Sequence, residues 1–190
     1  ETGRVLAEHS VAYPMHSPQP GAAEQDPDEI CEAVLEGLAA VMRHASLRAD
    51  DVLCVSLSSA MHSLIALDRE NRPLTRSITW ADQRAAAQAE RLTADGTGLS
   101  VYLRTGTPIH AMSPLVKLMW LKEARPDIWR RAARFAGIKE YVVHRLFGEW
   151  VMDHSLASAT GCFNLFTLAW DEQALRLADV REEQLPRPVP

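Results

Sequence analysis

No apolar run in this sequence approaches the ~20 residues a helix needs to cross a bilayer, so no membrane role is expected. Cysteine is nearly absent: Cys31, Cys54 and Cys162 sit in apolar settings without a CxxC pair or a Cys/His spacing. That pattern argues against a disulfide framework and a structural zinc site, and it predicts reduced thiols in a cytoplasm. Lysine is scarce too, three against seventeen arginines, and the bases are scattered, as in Arg130-Arg131. With a net charge of -5, the chain lacks the clustered base that nucleic-acid phosphates require, and no such partner is expected. Its seven histidines are isolated along the chain, which disfavours a metal cluster. The opening Glu1-Thr2-Gly3-Arg4 lacks the charged-then-apolar layout of a signal peptide.

Hydrophobic residues make up 47% of the chain, five of them Trp, so a sizeable core can form. A length of 190 residues suits one domain, or one domain with a fragment of another. Strand-like and helix-like stretches alternate. Gly3 to Ala7 reads as the tail of a hairpin turn entering a strand that runs to about Tyr13, and Pro14 to Gly21 as a loop. Asp26-Pro27-Asp28-Glu29 is a helix start: a capping Asp, an early Pro, then acids at the positive end of the dipole. Val52 to Leu57 reads as a strand buried on both sides. Leu64 to Leu67 and Ser77 to Trp80 follow as strands around the turn Asp68 to Pro73. Asp82 can cap a helix over Gln83 to Ala94, and Asp95-Gly96-Thr97-Gly98 reads as its C-terminal turn. Further helices are expected from Ser113-Pro114, ending before Pro126, over Asp127 to Phe135, over Lys139 to Phe147 and over Asp171 to Ala178, with a strand at Trp150 to Met152. Such mixing predicts an α/β architecture. The chain reads as starting inside a sheet, on a hairpin whose first strand is absent.

Four stretches in register carry a resemblance. They are Ser58-Ser59-Ala60-Met61-His62-Ser63 with the turn Asp68 to Leu74; Ile78-Thr79-Trp80-Ala81-Asp82-Gln83-Arg84; Thr105-Gly106-Thr107-Pro108-Ile109-His110 running through Met112-Ser113-Pro114 into Lys117-Leu118-Met119-Trp120-Leu121; and Ile138-Lys139-Glu140-Tyr141 with Asp153 to Gly161. Together the sequence resembles the FGGY carbohydrate kinases over nearly its whole length. Met61-His62 is shared with the xylulose-phosphorylating branch. The third stretch and Ile138 to Tyr141 look more like the gluconate-phosphorylating branch.

The resemblance implies a ribonuclease-H-like, actin-like ATPase domain that is incomplete, lacking its first strands and its C-terminal part. Residues 1–190 would then be a partial N-terminal, sugar-binding domain. ATP and Mg2+ are the implied cofactors of the full-length parent, with none expected on this chain alone. The family's phosphate-cradling loop and its catalytic Asp have no counterpart in the sequence, so no catalytic residue is assigned and the isolated chain is expected to be inactive. The implied reaction is transfer of the ATP γ-phosphate to a hydroxyl of gluconate, giving 6-phosphogluconate. The alternatives are a xylulokinase-like pentulose kinase and a truncated, non-catalytic sugar-binding module.

Substrate contacts are expected at Met61, His62, Trp80, Asp82 and Arg84. They follow strand ends, where open α/β sheets place ligand-binding groups. His62 can exchange hydrogen bonds with adjacent hydroxyls, Asp82 can accept from them, and Arg84 can fork onto a sugar-acid carboxylate. Each has an ordinary structural counterpart: a satisfied His, a core Met, a packed Trp, a helix cap and a solvated Arg. Met112 stands where an aromatic is usual in glycerol-phosphorylating members. Lys139 suits a carboxylate or a plain helix surface, and Asp153, Ser155 and Ser158 read as caps. The expected partner is a small sugar or sugar acid, and homodimer formation is left open by the sheet edges and apolar patches that an incomplete domain would expose.

Overall fold

Asp26 starts the longest helix of the chain, as its sequence context dictates. In the computed structural model, which describes residues 3–190, its side chain accepts from the backbone N–H groups of Asp28 and Glu29. Glu1 and Thr2, read above as part of an opening without a signal peptide, lie outside the described residues. The elements in chain order are β1 (Glu24–Gln25), α1 (Pro27–His44), β2 (Ile65–Leu67), β3 (Ser77–Ile78), α2 (Ala86–Ala94), α3 (Thr97–Thr105), α4 (Pro114–Ala124), α5 (Pro126–Arg131), β4 (Arg134–Ala136), α6 (Ile138–Phe147), β5 (Val151–Asp153), α7 (His154–Ser158), β6 (Phe163–Asn164), β7 (Ala169–Trp170), α8 (Glu172–Ala178) and β8 (Arg187–Val189). The architecture is mixed α/β.

Strand β2 organises the interior. Leu64 and Ala66 face a core shared with α2, α4 and α8, while Ile65 and Leu67 face a second core with α1 and α6. Side chains alternate across a strand, and here both faces are covered, so four consecutive apolar residues are all buried. Laterally, β2 pairs antiparallel with β4, and Leu64 exchanges two backbone hydrogen bonds with Ile78 of β3. Strand β3 pairs in turn with β1. Strands β5 and β8 run parallel, and β6 and β7 form a hairpin. Among the described residues no helix is long and apolar enough to cross a membrane.

Several local expectations fail for non-local reasons. Val52 to Leu57 forms no strand and is mostly exposed, Leu53 at 98%, because no partner strand among the described residues offers it a ladder. Residues 4–13 likewise run without ladder bonds. The helix expected over Asp127 to Phe135 stops at Arg131, since Phe135 enters β4 opposite Ala66. Gly96, at φ 76°, does turn the chain after α2, but Gly98 sits inside a further helix, α3. Its bare Cα lets α3 lie close to Leu92 and Ile109.

Candidate functional site

The turn after Ser59 holds Met61 and His62 in place by tertiary contacts. His62 adopts φ 66°, a left-handed conformation that costs a non-glycine residue on the order of 1 kcal/mol or more. Two bonds fix it there: its Nδ1–H donates to Ala159 O at 2.8 Å, and its carbonyl accepts from Lys117 Nζ at 2.6 Å. The same ammonium donates to Thr79 O at 2.7 Å and approaches Ile78 O at 3.4 Å. The Leu64–Ile78 pairing draws the two segments together, and the Lys117 ammonium spans from His62 O to Thr79 O, the residue before Trp80. Lys117 thus stitches both loop segments to α4.

Because a carbonyl can only accept, the bond to Ala159 assigns the proton to Nδ1 and leaves Nε2 as an acceptor. Burial lowers the His62 pKa from its ordinary value, against the pull of the Ala159 bond, with the charges of Lys117 and His110 adding to the decrease. A neutral imidazole with a free acceptor nitrogen can take a hydrogen bond from a hydroxyl. Met61, its neighbour in sequence, and Trp80, which follows Thr79, are 42% and 55% exposed and present apolar surface.

Asp82 and Arg84 are turned inward instead. Asp82 is 1% exposed; its Oδ2 accepts from Ala23 N at 2.9 Å and its Oδ1 from Arg84 N at 3.0 Å. Arg84 Nε bonds both carboxylate oxygens, and its Nη2 reaches Glu24 Oε1 at 2.5 Å. The guanidinium also lies over the Trp120 ring, 4.4 Å from its centroid. Burial works against its charge, but the bonds and charges of Asp82 and Glu24 outweigh this and raise its pKa. Asp82 therefore does not cap a helix: α2 starts at Ala86, and the carboxylate clamps the segment before α1 to the end of β3. Met61 and Trp80 are exposed and His62 is half-buried, whereas Asp82 and Arg84 are turned inward onto each other and Glu24.

Lys117, which the sequence offers only within the stretch Lys117 to Leu121, turns out to be the buried cation of the site. Its side chain is 0% exposed, and burial pulls its pKa down to about 7, against the favourable charge of Asp82. A signal was available: Pro114, Lys117, Leu118 and Leu121 share the i, i+3, i+4, i+7 spacing of a buried face. A lysine there must find internal acceptors or lose its charge. Lys139 is paired with Asp153 Oδ2 at 2.6 Å, and Asp153 caps α7 through Leu156 N. Met112 is half-buried, its N–H donating to His110 Nδ1 at 3.1 Å.

Among the described residues, no group of three or more His, Cys, Asp and Glu side chains gathers to hold a metal. Near Gly96 the amides already have partners, Gly96 N on Thr93 O and Thr97 N on Asp95 Oδ1.

The sequence is 44% identical over 190 residues to a gluconokinase of Bacillus licheniformis, covering 100% of this chain and 37% of that protein. A crystal structure of gluconate kinase from Lactobacillus acidophilus superposes with a TM-score of 0.89 at 37% identity, covering 94% of this chain and 36% of that one. A structure described as ligand-bound xylulose kinase from the same organism matches with the same TM-score, identity and coverage. The chain thus spans little more than a third of these relatives' length. The ribonuclease-H-like, actin-like ATPase fold expected from the sequence is the fold of that family's N-terminal domains. Residues 1–190 match the family described as FGGY carbohydrate kinases, N-terminal domain, and the chain belongs to that family.

Proposed function

We propose that this chain forms the sugar-facing part of an ATP-dependent kinase that phosphorylates gluconate to 6-phosphogluconate. The observation that carries the reading is the Lys117 pin, which ties the carbonyl of half-buried His62 to that of Thr79, the residue before exposed Trp80. There His62 Nε2 accepts a hydrogen bond from a sugar hydroxyl, while Trp80 and Met61 cover the apolar face of the carbon chain. Asp82 and Arg84, which the sequence suggested as direct contacts, act one layer back by holding the strand end that carries Trp80. Mg-ATP is bound by other parts of the full-length kinase, where it supplies the transferred phosphoryl group. Similarity to the Bacillus gluconokinase favours a sugar acid as acceptor.

Calorimetric titration of the chain with gluconate and xylulose tests this reading. Gluconate binding that weakens at least tenfold in His62→Ala is expected. Binding of xylulose with no response to gluconate would replace the reading with a pentulose kinase, which the ligand-bound xylulose kinase structure supports as the second possibility. Sugar binding without Mg-ATP-dependent phosphorylation, in this chain and in a longer protein carrying it, would favour a non-catalytic sugar-binding module.

A further inference from the structure

Beneath the Ser59–Ser63 turn lies a small recess of about 20 Å³, bordered by Ser59, His62, Ser63, Lys139 and Glu140. A volume of roughly 10–15 Å³ admits one water-sized group, provided polar partners surround it. Two are free. Glu140 is 1% exposed; its Oε2 accepts from Gly137 N at 3.0 Å, capping α6, while its Oε1 is buried without a partner among the described residues. Ser59 Oγ is buried and equally unpartnered. Ser63 Oγ accepts from Ile138 N, Lys139 is paired with Asp153, and His62 holds Ala159 O through Nδ1. A native structure seldom leaves two such atoms orphaned around one recess unless a guest completes them.

We propose that this recess is a hydroxyl subsite, in which one O–H group donates to Glu140 Oε1 and accepts from Ser59 Oγ. An anion is disfavoured there by the free carboxyl oxygen, and the volume excludes a ring or a carboxylate. Met61 and His62 also border the recess, so it opens beside the edge assigned above to the sugar, and a polyol lying on that edge can seat one hydroxyl in it. The inference rests on the reading that the ligand is polyhydroxylated, but not on its being gluconate. The same chemistry describes a resident water, and the two sources are separable.

The variant Glu140→Gln keeps an oxygen for Gly137 N and converts the free position from acceptor to amide donor. Ser59→Ala removes the second partner without disturbing the cap. Titrations of the 190-residue chain and both variants would use gluconate, xylulose, glucitol and a set of singly deoxygenated gluconates. Titrated above pH 7, where Glu140 is ionised, the expected result is a 10- to 100-fold weakening for Glu140→Gln, the range for loss of a hydrogen bond to a charged group. One deoxygluconate should bind the wild type as weakly, with no further loss in the variant. If gluconate does not bind but xylulose or glucitol shows the same variant-sensitive binding, the gluconate reading fails and the subsite stands. Unchanged affinity in Glu140→Gln would mean that the recess holds only water, and the proposal falls. It falls equally if every deoxy analogue is weakened alike, which marks a general structural effect, or if no polyol binds.

Discussion

Lys117 Nζ stands 2.6 Å from the carbonyl oxygen of His62, so a buried ammonium on α4 holds a turn residue that sits at φ 66°. Its three hydrogens meet the carbonyls of His62, Thr79 and Ile78, which offsets part of the penalty of burying the charge. Lys117→Met should leave the His62 carbonyl without a donor, while Ile78 O and Thr79 O keep the backbone N–H groups of Leu64 and Asp82. A destabilisation of about 1–3 kcal/mol in urea unfolding is expected, together with loss of sugar binding. Retained binding at unchanged stability would show that the pin does not position the edge.

Stability should pass through a trough near neutral pH, from two buried groups of opposite sign. Burial raises the Glu140 pKa from 4.5 to about 7, so the folded state keeps this proton longer than the unfolded chain. The associated stability is full below pH 4.5 and declines as pH rises toward 7, by about 3 kcal/mol if the whole shift is realised. Burial lowers Lys117 from 10.5 to about 7, so here the unfolded chain holds the proton longer and stability recovers between pH 7 and 10.5. Asp171, held at about 2 chiefly by its bond from Arg104, acts only below this window. Denaturation across pH should show Glu140→Gln flattening the acid side and Lys117→Met the alkaline side. A wild-type profile that rises from pH 5 to 7 would contradict the Glu140 assignment.

Asp82 and Arg84 should behave as a structural clamp. Asp82→Ala leaves Ala23 N–H without its acceptor and Arg84 with Glu24 alone, and removing one partner of a buried pair costs about 3–5 kcal/mol. Arg84→Ala should also alter Trp120 fluorescence, because the guanidinium lies over that ring. Either variant melting like wild type while losing sugar binding would return these residues to direct contact with substrate.

Gly98→Ala tests the packing of α2 against α3. An added Cβ would lie 2.8 Å from both Leu92 O and Ile109 Cγ1. The clash with a backbone oxygen cannot be relieved by a rotamer change. It should outweigh the ~1 kcal/mol helix-propensity gain, for a net loss of about 1–2 kcal/mol by thermal denaturation.

The exposed stretch Leu53 to Val55 should drive self-association. Leu53 is 98% exposed within an apolar, unpaired segment of the kind that seeks a partner edge. Leu53→Lys should shift sedimentation toward monomer at high concentration. A wild type that is monomeric throughout would remove this expectation.

The sequence by itself determined those elements whose causes are local. Helix α1 follows from Asp26 and Pro27, α4 from Ser113-Pro114, and α8 from Asp171, which caps it through Ala174 N. Strand β2 follows from an apolar run between turn signals, and the ordered motifs identified the family over the whole chain. Tertiary structure alone decided what depends on partners distant in sequence. Val52 to Leu57 has strand composition but no ladder, and Phe135 left a helical pattern to pair beside Ala66. Asp82 left its helix to hold Ala23, across 59 residues, because a buried carboxylate takes the donors that reach it. The free oxygen of Glu140 and the Lys117 bond to His62 arise in the same way. Burial and hydrogen-bond satisfaction are properties of a packed interior, and a one-dimensional pattern records only that a polar residue has been placed on a buried face.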